Sequence, residues 1–179
     1  NGVKCLSRAL NYVHMDDLYL DGNNIGDEGV EWLLFSRNAA YLSQLWLNCN
    51  GIKRSGYSAI AQFLQNRETK IKTLYFADNS IDMDGEVAES LASSLANSNT
   101  IEYINIGSRH VLGFGLPTFI QHFERTSCNL ENFKSLCESN HVLRSFGDDI
   151  DGYIANRSDT LRVVLDINAR DAPVGTKIR

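Results

Sequence analysis

Tyr19, Trp46 and Tyr75 recur at intervals of 27 and 29 residues, each held between two apolar neighbours in Leu18-Tyr-Leu20, Leu45-Trp-Leu47 and Leu74-Tyr-Phe76. Side chains with an apolar body and a polar tip carry much of the energy at protein interfaces, so the chemistry they offer is recognition and not bond-making. Tyr103 stands at the neighbouring outward position of a fourth copy, Ile104-Asn-Ile106. Asp17 and Gln44 lie two residues before Tyr19 and Trp46, and Asp21 and Asn48 lie two residues after them. The expected site is therefore an aromatic column of Tyr19, Trp46, Tyr75 and Tyr103, rimmed by Asp17, Asp21, Gln44 and Asn48, and its partner is another protein. Carboxylates at 17 and 21 suit a partner carrying Lys or Arg, or else act as solvated charges that aid solubility. The plainer alternative for the rings is cross-strand packing with no ligand involved.

Catalytic and metal chemistry find little purchase elsewhere. Asp82-Met-Asp84-Gly85 and Asp149-Ile-Asp151-Gly152 have the rhythm of calcium loops. A calcium loop also requires an acid at its first position and a glutamate at its twelfth. Those places hold Ser80 and Leu91 in one case and Gly147 and Ser158 in the other, so no metal is expected. His14, His110, His122 and His141 lack metal-ligand spacing. Gly113-Phe-Gly115 has neither the strand–glycine–helix setting nor the third glycine of a dinucleotide-binding turn. Cys49 has no neighbouring base in the sequence that would activate a thiolate. No cofactor is expected and the chain is expected not to be an enzyme.

The elements that position the column repeat with it. Leu18-Tyr-Leu-Asp-Gly-Asn-Asn-Ile25 returns as Leu45-Trp-Leu-Asn-Cys-Asn-Gly-Ile52 and as Leu74-Tyr-Phe-Ala-Asp-Asn-Ser-Ile81. Continuing the period reaches Ile104, then Phe133 and Val164, for about six units. Alternation around these apolar anchors is the period of a short, half-buried strand. Asn23, Asn50 and Asn79 follow at a constant place, where a carboxamide can bond the backbone of the turn and form a ladder along the stack. Helices are then expected over Gly26–Phe35, Ser55–Leu64 and Asp84–Leu95, with weaker equivalents at Gly113–Glu124 and about 148–156. Acidic residues are expected in their first turns, where the helix dipole favours them.

A strand, a turn and a helix of this length cannot bury their apolar sides alone, and a period of 20–50 residues is the mark of a solenoid. The fold class expected is α/β, with parallel strands on the concave face and helices on the convex one. Met15-Asp-Asp-Leu-Tyr-Leu-Asp-Gly-Asn-Asn-Ile-Gly-Asp-Glu-Gly-Val30 and Leu42-Ser-Gln-Leu-Trp-Leu-Asn-Cys-Asn-Gly-Ile52 resemble the leucine-rich repeat family, in its long, ribonuclease-inhibitor-like form. The resemblance is strong over residues 15–106 and weak over 107–179. It implies a horseshoe-shaped binding protein. The family also includes Ran GTPase-activating proteins, so an accessory to GTP hydrolysis is an alternative, as is a structural spacer in a larger receptor. Gly2–Leu10 aligns with the helix of the next unit, which implies that residues 1–179 are one domain and a piece of a longer stack.

Composition sets the outer limits. With 43% hydrophobic and 22% charged residues the chain is that of a folded domain. A net charge of −5 argues against nucleic acid as partner, which calls for a basic stripe. No apolar run approaches the roughly 18 residues of a membrane span. Cys5, Cys49, Cys128 and Cys137 form no Cys-x-x-Cys pair. They point to reduced thiols and an intracellular, cytoplasmic setting.

Overall fold

The computed structural model describes residues 2–79 and 85–106. Within them the chain alternates helix and strand: α1 (Gly2–Ala9), β1 (Asp17–Tyr19), α2 (Gly26–Leu34), β2 (Gln44–Trp46), α3 (Arg54–Gln65), β3 (Thr73–Tyr75), α4 (Gly85–Asn97) and β4 (Tyr103–Asn105). A short 3-10 turn, Ala39–Tyr41, leads into β2. The four strands form one parallel sheet in the order β1-β2-β3-β4, so each helix carries the chain to the adjacent strand. Equivalent residues are paired: Leu18 with Leu45, Leu45 with Leu74, and Leu74 with Ile104.

That register follows from the side-chain pattern. A slip of one residue would send Leu45 and Leu74, both fully buried, out into water. Each such leucine contributes roughly 1.5–3 kcal/mol by leaving water. The helices meet the sheet from one side only. Val30 and Leu33 of α2, Ile60 and Leu64 of α3, and Val87, Leu91 and Leu95 of α4 join Leu18, Leu45, Leu74 and Ile104 in a single core. Leu42, Ile71 and Ile101, the apolar residues that precede each strand, are likewise fully buried. The opposite face of the sheet carries no layer among the described residues.

Consecutive helices pack side by side, α1 on α2, α2 on α3 and α3 on α4. The approach is close where glycine begins a helix. A Cβ at Gly56 would fall 2.7 Å from Oδ1 of Asp27 in α2, and one at Gly29 would fall 2.9 Å from Cγ1 of Val3 in α1.

The turn after each strand is built around the repeated asparagine. Asn50 is fully buried; its Oδ1 accepts from the backbone N–H of Asn23 at 2.9 Å, and its Nδ2 donates to the carbonyl of Leu20 at 2.8 Å. Asn79 repeats the arrangement one unit along. It accepts from the N–H groups of Asn50 at 2.8 Å and Ile52 at 3.1 Å, and donates to the carbonyls of Leu47 at 2.9 Å and Phe76 at 2.6 Å. The residue before each asparagine takes the left-handed conformation: Gly22, Cys49 and Asp78 have φ of 71°, 54° and 54°. The anticipated ladder is thus present, and each rung ties one unit to the next.

Two expectations need adjustment. Only α2, with Asp27 and Glu28, and α4, with Glu86, carry acids in their first turns; α3 begins at Arg54 and carries none. Its negative partner comes from the unit before, because Oδ1 of Asp27 accepts from the N–H of Lys53 at 2.5 Å. Side-by-side helix starts let one carboxylate serve the neighbouring N-terminus, where the dipole favours it. The second adjustment is of extent. Four strands are described; the units expected at Phe133 and Val164, the helices at 113–124 and 148–156, and Asp149, Asp151, His110, His122, His141, Cys128 and Cys137 lie outside the described residues, as do Asp82 and Asp84.

Candidate functional site

Period-two alternation turns Leu18, Leu45, Leu74 and Ile104 inward and leaves their neighbours on the open face of the sheet. Two outward columns result. One runs Tyr19, Trp46, Tyr75, Asn105 and the other Asp17, Gln44, Thr73, Tyr103, each paired in register across adjacent strands.

The rings of the first column stack. Tyr19 and Trp46 have centroids 4.1 Å apart and planes 23° apart; Trp46 and Tyr75 are 5.0 Å and 10° apart. Tyr103 closes on Tyr75 from the diagonal position, at 5.2 Å and 39°. The spacing is close to that of neighbouring strands, which is why one ring per strand makes a continuous stack. Tyr19 is 63% exposed, whereas Trp46 and Tyr75, each with a ring on both sides, are half-buried. All four aromatic residues singled out in the sequence are brought together.

The polar residues divide. Asp17 and Gln44 flank the stack on the open face, and Asp17 has no side-chain partner among the described residues. Asp21 and Asn48 are turned to a structural task that the sequence reading did not assign. Oδ1 of Asp21 accepts from the N–H of Asn48 at 2.7 Å, and Oδ1 of Asn48 accepts from the N–H of Ala77 at 2.7 Å. They extend the strand pairing by one side-chain rung. The recurrence of Asp or Asn at one register position was the available signal, and Ala77 ends that series. Thr73 joins the face as well. The cation nearest in register to this face is Lys72, whose Nζ lies 3.8 Å from Glu102.

A second cluster, of loop residues, was not foreseen. His14 meets the ring of Tyr41 edge-on at 4.7 Å, and Nζ of Lys70 lies 4.8 Å from the same ring. These residues come from three successive loops, and nothing in a single-unit pattern couples them. His14 is therefore in contact with an aromatic ring. Among the described residues no group of three or more His, Cys, Asp or Glu is placed to hold a metal ion, and no helix is long and apolar enough to cross a membrane. Cys5 and Cys49 are free and exposed. The phenol of Tyr57 is pushed well above its ordinary value, chiefly by burial and secondarily by the charge of Asp27.

No family model matches the chain, and no curated protein matches it. Among solved structures, it is similar to actin-binding site 2 of leiomodin-1, with a TM-score of 0.65 and 18% identity over 94% of this chain and 88% of that one. At that identity the likeness is one of fold.

Proposed function

We propose that this chain is a leucine-rich-repeat solenoid of about six units, and that it binds a protein partner, without catalysis, through the open face of its sheet. The observation that carries the reading is the stack of Tyr19, Trp46 and Tyr75, with Tyr103 tilted against Tyr75 at its end, on a face that no described element covers. Cross-strand aromatic pairs stabilise a sheet by only about 0.2–1 kcal/mol each. Rings placed on the core face would bury more area for the same strand pairing. A column left half in water is better accounted for as surface held ready for a second protein, whose docking completes its burial. Free thiols at Cys5 and Cys49 favour a reducing, intracellular setting for that encounter.

Leiomodin-1, one structural neighbour, is described by its actin-binding site. Actin is accordingly the first partner to try. The test compares the full chain with its Tyr19→Ala/Trp46→Ala/Tyr75→Ala variant, after circular dichroism shows both folded, in co-sedimentation with filaments and in titration of monomeric actin. Binding by the parent that falls at least about thirtyfold in the variant is the expected result. Equal binding by both would move the interface off this face, and binding by neither would remove actin as the partner.

A further inference from the structure

Apart from the open face, we propose that the edge of the sheet where helices pass into strands is a second docking surface, formed by the loops before β2 and β3. Its partner is an acidic protein segment that carries apolar side chains. Charge is divided between the two edges of the stack. The loops over residues 35–43 and 66–72 hold Arg37, Arg67, Lys70 and Lys72 against one acid, Glu68, in a chain of net charge −5. All four cations are exposed. The opposite edge, where strands pass into helices, sets Asp21, Asp27, Glu28 and Asp78 against Lys53 and Arg54. Among the described residues Arg37, Arg67 and Lys70 have no ion-pair partner, whereas Lys72 lies 3.8 Å from Glu102 and Arg54 lies 2.7 Å from Glu86. Cations left unneutralised in one place on an acidic protein steer and orient an acidic partner. The two loops lie between those of β1 and β4, so both of their flanks are described.

Hydrogen bonds from loop to loop hold the surface in place. The N–H of Lys70 donates to the carbonyl of Ala40 at 2.8 Å, and that of Lys72 to the carbonyl of Ser43 at 2.8 Å. The N–H of Arg37 donates to Oδ1 of Asn11 at 2.8 Å. Buried Asn38 and Thr69 anchor the two loops from beneath, through the carbonyls of Val13 and Phe63. The cations therefore stand on a fixed backbone, and little order is lost when a partner docks. Rings share the edge with them. Phe35 is 57% and Tyr41 43% exposed, and Nζ of Lys70 lies 4.8 Å from the Tyr41 ring. An apolar side chain of the partner can cover these rings while its carboxylates meet Arg37, Arg67 and Lys70. Nucleic acid and anionic lipid suit the edge less well. Both present extended arrays of phosphate, which would also meet Glu68 and the exposed Asp16 before β1.

The test titrates the full chain, followed by NMR, with a blocked acidic peptide, Glu-Leu-Asp-Phe-Glu-Asp, and with its uncharged counterpart, Gln-Leu-Asn-Phe-Gln-Asn. The acidic peptide is expected to shift the amides of Tyr41 and Lys70 saturably, to bind about fivefold more tightly than the uncharged one, and to weaken as salt rises. Arg67→Gln/Lys70→Gln is expected to weaken it by about three- to tenfold. Lys53→Gln/Arg54→Gln, the same change of charge on the opposite edge, is expected to leave it within about twofold. All four side chains are exposed, so both variants should fold as the parent does. Absence of a saturable shift in these loops, equal binding of the two peptides, or an equal effect of the two double variants would overturn the proposal. So would retention on phosphatidylserine vesicles or on an oligothymidylate under conditions where the peptide does not bind. The open face is tested apart, since none of these residues lies on it. The folded Tyr19→Ala/Trp46→Ala/Tyr75→Ala variant is expected to bind the acidic peptide as the parent does, and loss of binding there would assign the peptide to the open face and remove the second surface.

Discussion

Replacing each asparagine of the turn ladder by alanine should destabilise the protein in a graded series, least at position 23 and most at position 79. Asn23 is exposed, and its amide donates only to the local carbonyls of Leu20 and Asp21. Leu20 keeps a second donor from Asn50, so Asn23→Ala should cost under about 0.5 kcal/mol. Asn50→Ala strands the N–H groups of Asn23, at 2.9 Å, and Ile25, at 3.4 Å. The carbonyls it leaves are still served, Leu20 by Asn23 and Asn48 by the N–H of Gly22. Two partly solvated donors at ~1 kcal/mol each, with a small cavity, suggest about 2–3 kcal/mol. Asn79→Ala strands the N–H groups of Asn50 and Ile52, both on fully buried residues, and withdraws donors from the carbonyls of Leu47 and Phe76. At ~1–2 kcal/mol per buried unsatisfied group the loss should reach about 4 kcal/mol, a large share of the 5–15 kcal/mol that typical domains possess. Urea unfolding followed by far-ultraviolet circular dichroism measures the series, provided the slope with urea is unchanged. Equal costs at the three positions, or less than about 1 kcal/mol for Asn79→Ala, would refute the view that these side chains bind unit to unit.

Other expectations concern helix contacts, pH and the aromatic face. Gly56→Ala drives a methyl group into Ile52 and Asp27 and should cost about 1–3 kcal/mol in the same urea assay, although alanine is the better helix former. Tyr57 is fully buried and its phenol is raised above the ordinary 10.0, so unfolding releases its proton more readily. Stability is then unaffected below about pH 10 and falls as pH rises beyond it, where the unfolded chain ionises first. Tyr57→Phe should flatten that alkaline decline, which a comparison of urea midpoints at pH 8 and pH 11 would measure. Trp46→Ala removes two stacked contacts and should cost about 1–2 kcal/mol of stability, more than Tyr19→Ala, which removes one contact from an exposed ring; the order of the two midpoints is the check.

The repeat period made the α/β alternation, the parallel order and the inward leucines legible, because each of those follows from one unit copied along the chain. Tyr19, Trp46 and Tyr75 were found for the same reason: one residue per strand at one register position must form a column. What escaped depends on relations between units. Asp27 serves the start of α3, a helix without an acid of its own, and no inspection of α3 alone would find it. Asp21 and Asn48 look like free polar groups in their own strands, yet each reaches the backbone of the next. His14, Tyr41 and Lys70 meet because three loops end at the same level of the stack. Helix limits moved by one or two residues, as with α3, which begins at Arg54 and not Ser55. Fraying at helix ends is of that order.

These cross-unit contacts bear on whether the open face is free of structural duty, as the proposed binding surface requires. Cohesion between units resides in three places: the leucine core behind the sheet, the buried asparagines at the turns, and the close helix starts at Gly29 and Gly56. None of them draws on Asp17, Gln44 or Thr73. Residues at those positions can therefore change to suit a partner while register and packing persist, since register is set by the buried side of the same strands. Trp46 is the exception, held between two rings, so its replacement should disturb both stability and binding. Asp17→Asn, by contrast, should leave the urea midpoint where it was and alter only association with a basic partner. A variant that moved both quantities together would place Asp17 among the groups that hold the sheet.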